Sequence, residues 1–189
     1  MDALAIVEEV YARSHENGSE VAMDSVRKLH PHWEEIDADS EIGARVRWVR
    51  CTNDWVYGEP NTRPLVEILA KLSPDRGKVF VDLGSGLGKV VAVASLLFGR
   101  AIGIELQEDL HVSALELSTH FRNRAQAERV ELGEVQHAYA DFLGQQTPPW
   151  HDGEREWWEL ADVVYACSTK FCKATMDGLT ERAQRLKNG

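Results

Sequence analysis

The segment VFVDLGSGLGKVV, Val79 to Val91, constrains this chain more than any other stretch. A β-rich apolar run stops at an acid, three glycines follow at alternate positions, and an apolar run resumes. This pattern describes a buried strand, a turn of bare backbone and a helix. Glycine at such a turn lets backbone N–H groups and the positive helix end approach a ligand with no Cβ between them. In an open parallel sheet the turn lies at the carboxyl end of the strand, where ligands bind. A purely structural tight turn is the alternative reading.

The flanking sequence repeats the alternation of periods. KVFVD and the glycine turn lead into an apolar helix to about Phe98, then a second run, AIGIE, and a helix over about Glu108 to Ala127. A third strand falls within Val130 to Ala138, a fourth is ADVVYA at Ala161 to Ala166, and Phe171 to Leu186 reads as helical. Strands alternating with helices predict an α/β fold with a mostly parallel sheet covered on both faces.

Upstream, Leu4, Val7, Val10 and Tyr11 have helical spacing, and a second short helix is expected over Val21 to Leu29. Residues 30–61 read as structured loop with Trp33, Trp48 and Trp55. Pro64 suits the first turn of a helix on which Leu65, Ile68, Leu69 and Leu72 share a face. GQQTPPWHDGEREWWEL reads as a surface loop leading into the fourth strand. The division expected is residues 1–60 as a helical and loop segment that includes a cofactor-covering loop, and residues 61–189 as the core.

Spacing sorts the ligands that the turn could hold. A phosphate-binding P-loop requires Ser or Thr after its Gly-Lys, and here Val90 follows Gly88-Lys89. A dinucleotide fingerprint places its third glycine one residue later than Gly88. Asp82 with Gly84, Ser85, Gly86 and Gly88 instead resembles the acid-x-G-x-G-x-G motif at which class I methyltransferases hold the amino-acid end of S-adenosylmethionine. Glu105, ending the second strand, is placed to accept hydrogen bonds from both hydroxyls of a ribose. Asp141 and Phe142 suit an adenine, the acid accepting from its amino group and the ring covering its face.

Composition narrows the rest. A net charge of −10 excludes a chain that grips DNA by phosphate neutralisation alone. The densest basic cluster is Arg45, Arg47 and Arg50, which reads as a solvated face or a small acidic-surface contact. The three cysteines, Cys51, Cys167 and Cys172, form no CxxC pair, so neither a disulfide framework nor a four-ligand zinc site is expected, and a reducing intracellular compartment fits. No apolar run approaches the roughly 18 residues of a membrane span.

VYGE at Val56 to Glu59, the glycine turn, GIEL at Gly103 to Leu106 and ADFL at Ala140 to Leu143 follow one another in this order. With them the chain resembles the disruptor-of-telomeric-silencing family, the non-SET methyltransferases of histone H3 lysine 79, over about Trp55 to Gly189. The resemblance implies a Rossmann-like class I methyltransferase fold, S-adenosylmethionine as cofactor, a histone or nucleosome as partner and a nuclear location. It implies that Tyr57, Gly58 and Glu59 close over the cofactor, that Asp82, Gly84, Ser85, Gly86 and Gly88 line the turn, and that Lys89 stands where relatives carry Gln. Glu105 would take the ribose, and Asp141 with Phe142 the adenine.

The segment YACSTKF, Tyr165 to Phe171, aligns with the end of strand four, which in the family offers an Asn beside the methyl group and aromatics along a lysine channel. Cys167 stands in place of that Asn, and Tyr57, Tyr165 and Phe171 are the channel candidates; Tyr57, Cys167 and Phe171 are the expected catalytic positions. His111, His137 and His151 are left outside the catalytic assignment. The chain ends where the fold would enter strand five, so the expectation is a truncated product or a partner that completes the sheet. Two alternatives stay open: a non-histone or small-molecule substrate, and a module that binds the cofactor without turnover.

Overall fold

The computed structural model describes residues 2–12, 58–144, 151–152, 155–168 and 171–186. The expected helix over 21–29, the three upstream tryptophans, the arginines of residues 45–50 and Tyr57 lie outside these.

The fold is a Rossmann-like α/β layer structure. Helix α1 spans Ala3–Val10 and α2 Thr62–Ala70; β1 is Val79–Leu83, α3 Lys89–Ser95, β2 Arg100–Glu105, α4 Glu108–Ala127 and β3 Glu134–Tyr139. Then come β4 (His151–Asp152), β5 (Arg155–Glu156), α5 (Trp157–Leu160), β6 (Val163–Ala166) and α6 (Lys173–Ala183). Among the described residues the main sheet has four strands in the order β3-β2-β1-β6, and their pairings are parallel. Parallel neighbours cannot be joined by a hairpin, so the helices cross over the sheet and cover it.

Strand periodicity divides the core in two. Phe80 faces one layer and joins Ile6, Val7 and Tyr11 of α1, Leu65 and Leu69 of α2, Val90 to Ala94 of α3, and Phe121 of α4. Val81 and Leu83, one step out of phase, face the other with Ile102, Ile104, Ala140, Trp157 and Leu160. Helix α3 is buried from Val90 to Ser95, which explains why Val90 to Ala94 are apolar on every side.

Two sequence expectations change. Of the four apolar residues expected on one face, Leu65 and Leu69 of α2 are buried while Ile68 and Leu72, the latter beyond the end of α2, are exposed, because α1 and α3 cover a narrower stripe than the apolar residues span. The WWEL segment is no surface loop: it forms α5, started by a reciprocal capping box between Glu156 and Glu159, and Trp157 is 0% exposed. The hairpin β4-β5 precedes it.

The chain runs from β1 through α3 to β2 on one side, while β6 lies on the other side of β1. Such a switch in direction opens a crevice at the carboxyl ends of the strands. Every element that ends there, β1, β2, β3 and β6, carries one of the residues singled out above. No described helix is long and apolar enough to cross a membrane.

Candidate functional site

The glycine turn is fixed to the end of the neighbouring strand by its own backbone. Gly84 and Ser85 donate their N–H groups to the Ile104 carbonyl at 2.9 and 3.1 Å, and Gly88 donates to the Ser85 carbonyl at 2.9 Å. Gly84, Gly86 and Gly88 take φ values of 77°, 53° and 83°, a left-handed path that a residue with a Cβ adopts only with strain. Gly88 begins α3, and a Cβ there would lie 2.5 Å from Cε1 of His137.

Two carboxyls stand at the ends of β1 and β2. Glu105 is 6% exposed; its Oε2 accepts from the Gly86 N–H at 2.7 Å and its Oε1 from the Gln107 N–H at 2.8 Å. Burial pushes this carboxyl above the usual range, and the N–H groups of Gln107, Gly86 and Leu106 oppose the shift. Asp82, 2% exposed, is pushed well above its ordinary value, first by burial and then by the charge of Glu105. A ligand that brings a cation or a set of donors would favour the charged form of both. Ser85 Oγ and Gln107 Oε1 are buried beside them without hydrogen-bond partners among the described residues.

Across the turn, Lys89 Nζ meets Glu59 Oε2 at 3.2 Å, with side chains only 16% and 6% exposed. This ion pair ties the segment after Tyr57 to the first turn of α3, while Gly58 is exposed with open space around its Cα. Tyr57 itself lies outside the described residues.

The turn after β3 supplies the far end. Asp141 Oδ1 accepts from the Leu143 N–H at 2.7 Å and the Asp141 carbonyl accepts from Gly144 at 3.0 Å. Trp157 Nε1 donates to the Phe142 carbonyl at 2.9 Å. Phe171 bridges the two ends of the site: its ring centre is 5.9 Å from that of Phe142, and a Cβ on Gly84 would lie 3.3 Å from its Cζ. Tyr165 is opposite Asp82 in the β1-β6 register. Its hydroxyl is pushed up to about 12 by burial, then by Cys167 and Asp82 nearby, so these three residues share one corner of the crevice.

The family model "Histone methylation protein DOT1" matches residues 45–189. The chain belongs to the DOT1 family. Two relatives, each named histone-lysine N-methyltransferase, H3 lysine-79 specific, are 33% identical over 138 residues in Gibberella zeae and 30% identical over 136 residues in Caenorhabditis elegans. These alignments cover 72% and 70% of this chain but 27% and 14% of those proteins, so the chain spans a small part of their length. A third relative of the same name, from Aspergillus fumigatus, is 36% identical over 95 residues, 50% of this chain and 19% of its own.

In this DOT1-family chain the structure gathers Gly58, Glu59, Asp82, the glycine turn, Lys89, Glu105, Asp141, Phe142, Cys167 and Phe171 around the carboxyl ends of the four strands. Sequence reading missed Gln107, whose signal was a polar side chain two residues beyond the strand-end acid. It missed that Lys89 answers Glu59, a contact made across 30 residues. It also missed Trp157 and Arg182, which hold the Asp141 turn from behind and lie in segments with no motif.

Proposed function

We propose that this DOT1-family chain binds S-adenosylmethionine in the crevice and transfers its methyl group to a lysine of histone H3, working in the nucleus where its relatives' substrate resides. One observation carries the reading: the Gly86 N–H is bonded to the Glu105 carboxylate, which fixes the bare glycine turn and a buried acid at adjoining strand ends. The donor set fits the cofactor. The turn offers backbone to the amino-acid end, where Asp82 takes the ammonium, and Glu105 takes the ribose hydroxyls. Asp141 accepts from the adenine amino group beside the ring of Phe142.

When bound, S-adenosylmethionine supplies a methyl group already activated on a sulfonium, so no nucleophile of the protein is required. The chain's own residues position, orient and exclude water. Glu59, held by Lys89, closes the methionine end. Phe171 walls the crevice between the turn and Phe142, and Tyr165 and Cys167 form the corner facing Asp82. An uncharged lysine amine is the attacking group, and aromatics hold its protonated form before the proton leaves.

Titration of the chain with S-adenosylmethionine in a calorimeter tests the reading, with NAD and the Glu105→Ala variant as controls and the far-UV spectrum as a check of folding. Saturable binding of the methyl donor alone, lost in the variant, followed by methylation of nucleosomes, is the expected outcome. Absence of binding by the folded chain would refute it. Binding without transfer that Cys167→Asn restores would identify an enzyme whose reaction corner has lost a polar contact, and binding without transfer that Cys167→Asn leaves unchanged would identify a non-catalytic cofactor-binding module.

A further inference from the structure

Helix α6 reaches over the Asp141 turn from outside the crevice. Arg182 Nη2 donates to the Leu143 carbonyl and Nη1 to the Gly178 carbonyl at 3.1 Å, and the guanidinium lies 5.7 Å above the Trp158 ring. Arg185 lies over the same ring at 5.9 Å, paired with Glu181. Gly178, in mid-helix, costs helix stability unless something needs its bare Cα. Here something does: a Cβ would come within 3.2 Å of Leu143 Cδ2. Arg182, Trp158, Asp141 and Phe142 line one cavity of about 250 Å³.

The polar groups of the turn are thereby assigned one by one. The Phe142 carbonyl takes the Trp157 indole N–H, the Leu143 carbonyl takes Arg182, and the Leu143 N–H is held by Asp141 itself. The Leu143 carbonyl shares its peptide with the Gly144 N–H, which donates to the Asp141 carbonyl at 3.0 Å, so releasing it would loosen the turn that carries the Asp141 carboxylate. We infer that Arg182 is a positioning residue for cofactor recognition: α6 latches the turn after β3, and the latch sets how sharply Asp141 selects a 6-amino purine. This rests on the reading that Asp141 and Phe142 receive the adenine.

The test compares S-adenosylhomocysteine with S-inosylhomocysteine, which carries an oxo group in place of the 6-amino group, on the full chain and on Arg182→Ala and Arg182→Lys. Amide hydrogen exchange at Leu143 and Gly144 is followed in parallel. In Arg182→Ala the adenine ligand should weaken about tenfold and the hypoxanthine ligand less than twofold, while both amides exchange faster. Arg182→Lys, a point charge that cannot serve two carbonyls while stacked on the indole, should lose roughly threefold in discrimination. It also decides the matter if the alanine variant fails to fold. An equal loss for both ligands, or unchanged discrimination with unchanged exchange, would overturn the latch. If the unaltered chain binds neither ligand, the cofactor reading fails instead, and exchange alone decides: faster Leu143 and Gly144 amides in the variants support the latch, unchanged ones refute it.

Discussion

Gly88 answers to two demands at once, a left-handed φ of 83° and the ring of His137 where its side chain would be. The imidazole lies against the start of α3 with both nitrogens buried and without partners among the described residues. Burial, then the charges of His111 and Arg122, hold its proton affinity down to about 4. The unfolded ring takes its proton near 6.5, so between these values the unfolded chain binds more protons and stability falls as pH falls. The loss at the acid end of that window is at most about 3 kcal/mol, at about 1.4 kcal/mol for each tenfold change in proton affinity. Urea unfolding from pH 7 to pH 4 should therefore be less steeply pH-dependent in His137→Gln than in the unaltered chain. Parallel curves would contradict this. The opposite contributions of Asp82 and Glu105, whose raised values favour the folded state as pH falls, are common to both proteins and cancel in the comparison.

At the scale of elements, the end of α3 is held by a residue with no motif to announce it. Arg76, in the turn before β1, donates to the carbonyls of Ser95 and Phe98 at 3.0 Å each, and to those of Leu96 and Glu131 at 3.4 and 3.2 Å. A helix leaves its last carbonyls unpaired and carries negative partial charge there, so a forked cation suits this place. Arg76→Ala should destabilise the chain by about 1 to 2 kcal/mol, seen as a lower urea midpoint with an unchanged slope. Arg76→Lys should recover only part of it. The strands and helices that carry the motifs were legible because period and turn chemistry act locally: α4 runs over Glu108–Ala127 as its spacing indicates, and β1, β2, β3 and β6 lie within a few residues of their expected places. Helix α5 was not legible. Two prolines and a run of polar residues precede it, and only the sheet face formed by Val81, Leu83, Ile102 and Ile104 makes a buried site for Trp157.

For the whole molecule, charge sets what a nucleosome can offer it. With a net charge of −10 the chain gains little from displacing counterions, so its affinity for free duplex DNA at 0.15 M salt should be weaker than about 100 μM by fluorescence anisotropy. Tighter, strongly salt-dependent binding would show that a local basic surface outweighs the total. The sequence by itself determined the parallel α/β architecture, the glycine turn and the strand-end acids, because each is set by a few neighbouring residues and a fixed backbone period. Only the tertiary structure decided which partners those residues have. Lys89 finds Glu59, Gly86 finds Glu105, His137 fills the space beside Gly88, and Arg182 reaches the Leu143 carbonyl. These contacts join residues 19 to 49 positions apart, and the crossover connections of the sheet rather than local preference bring them together.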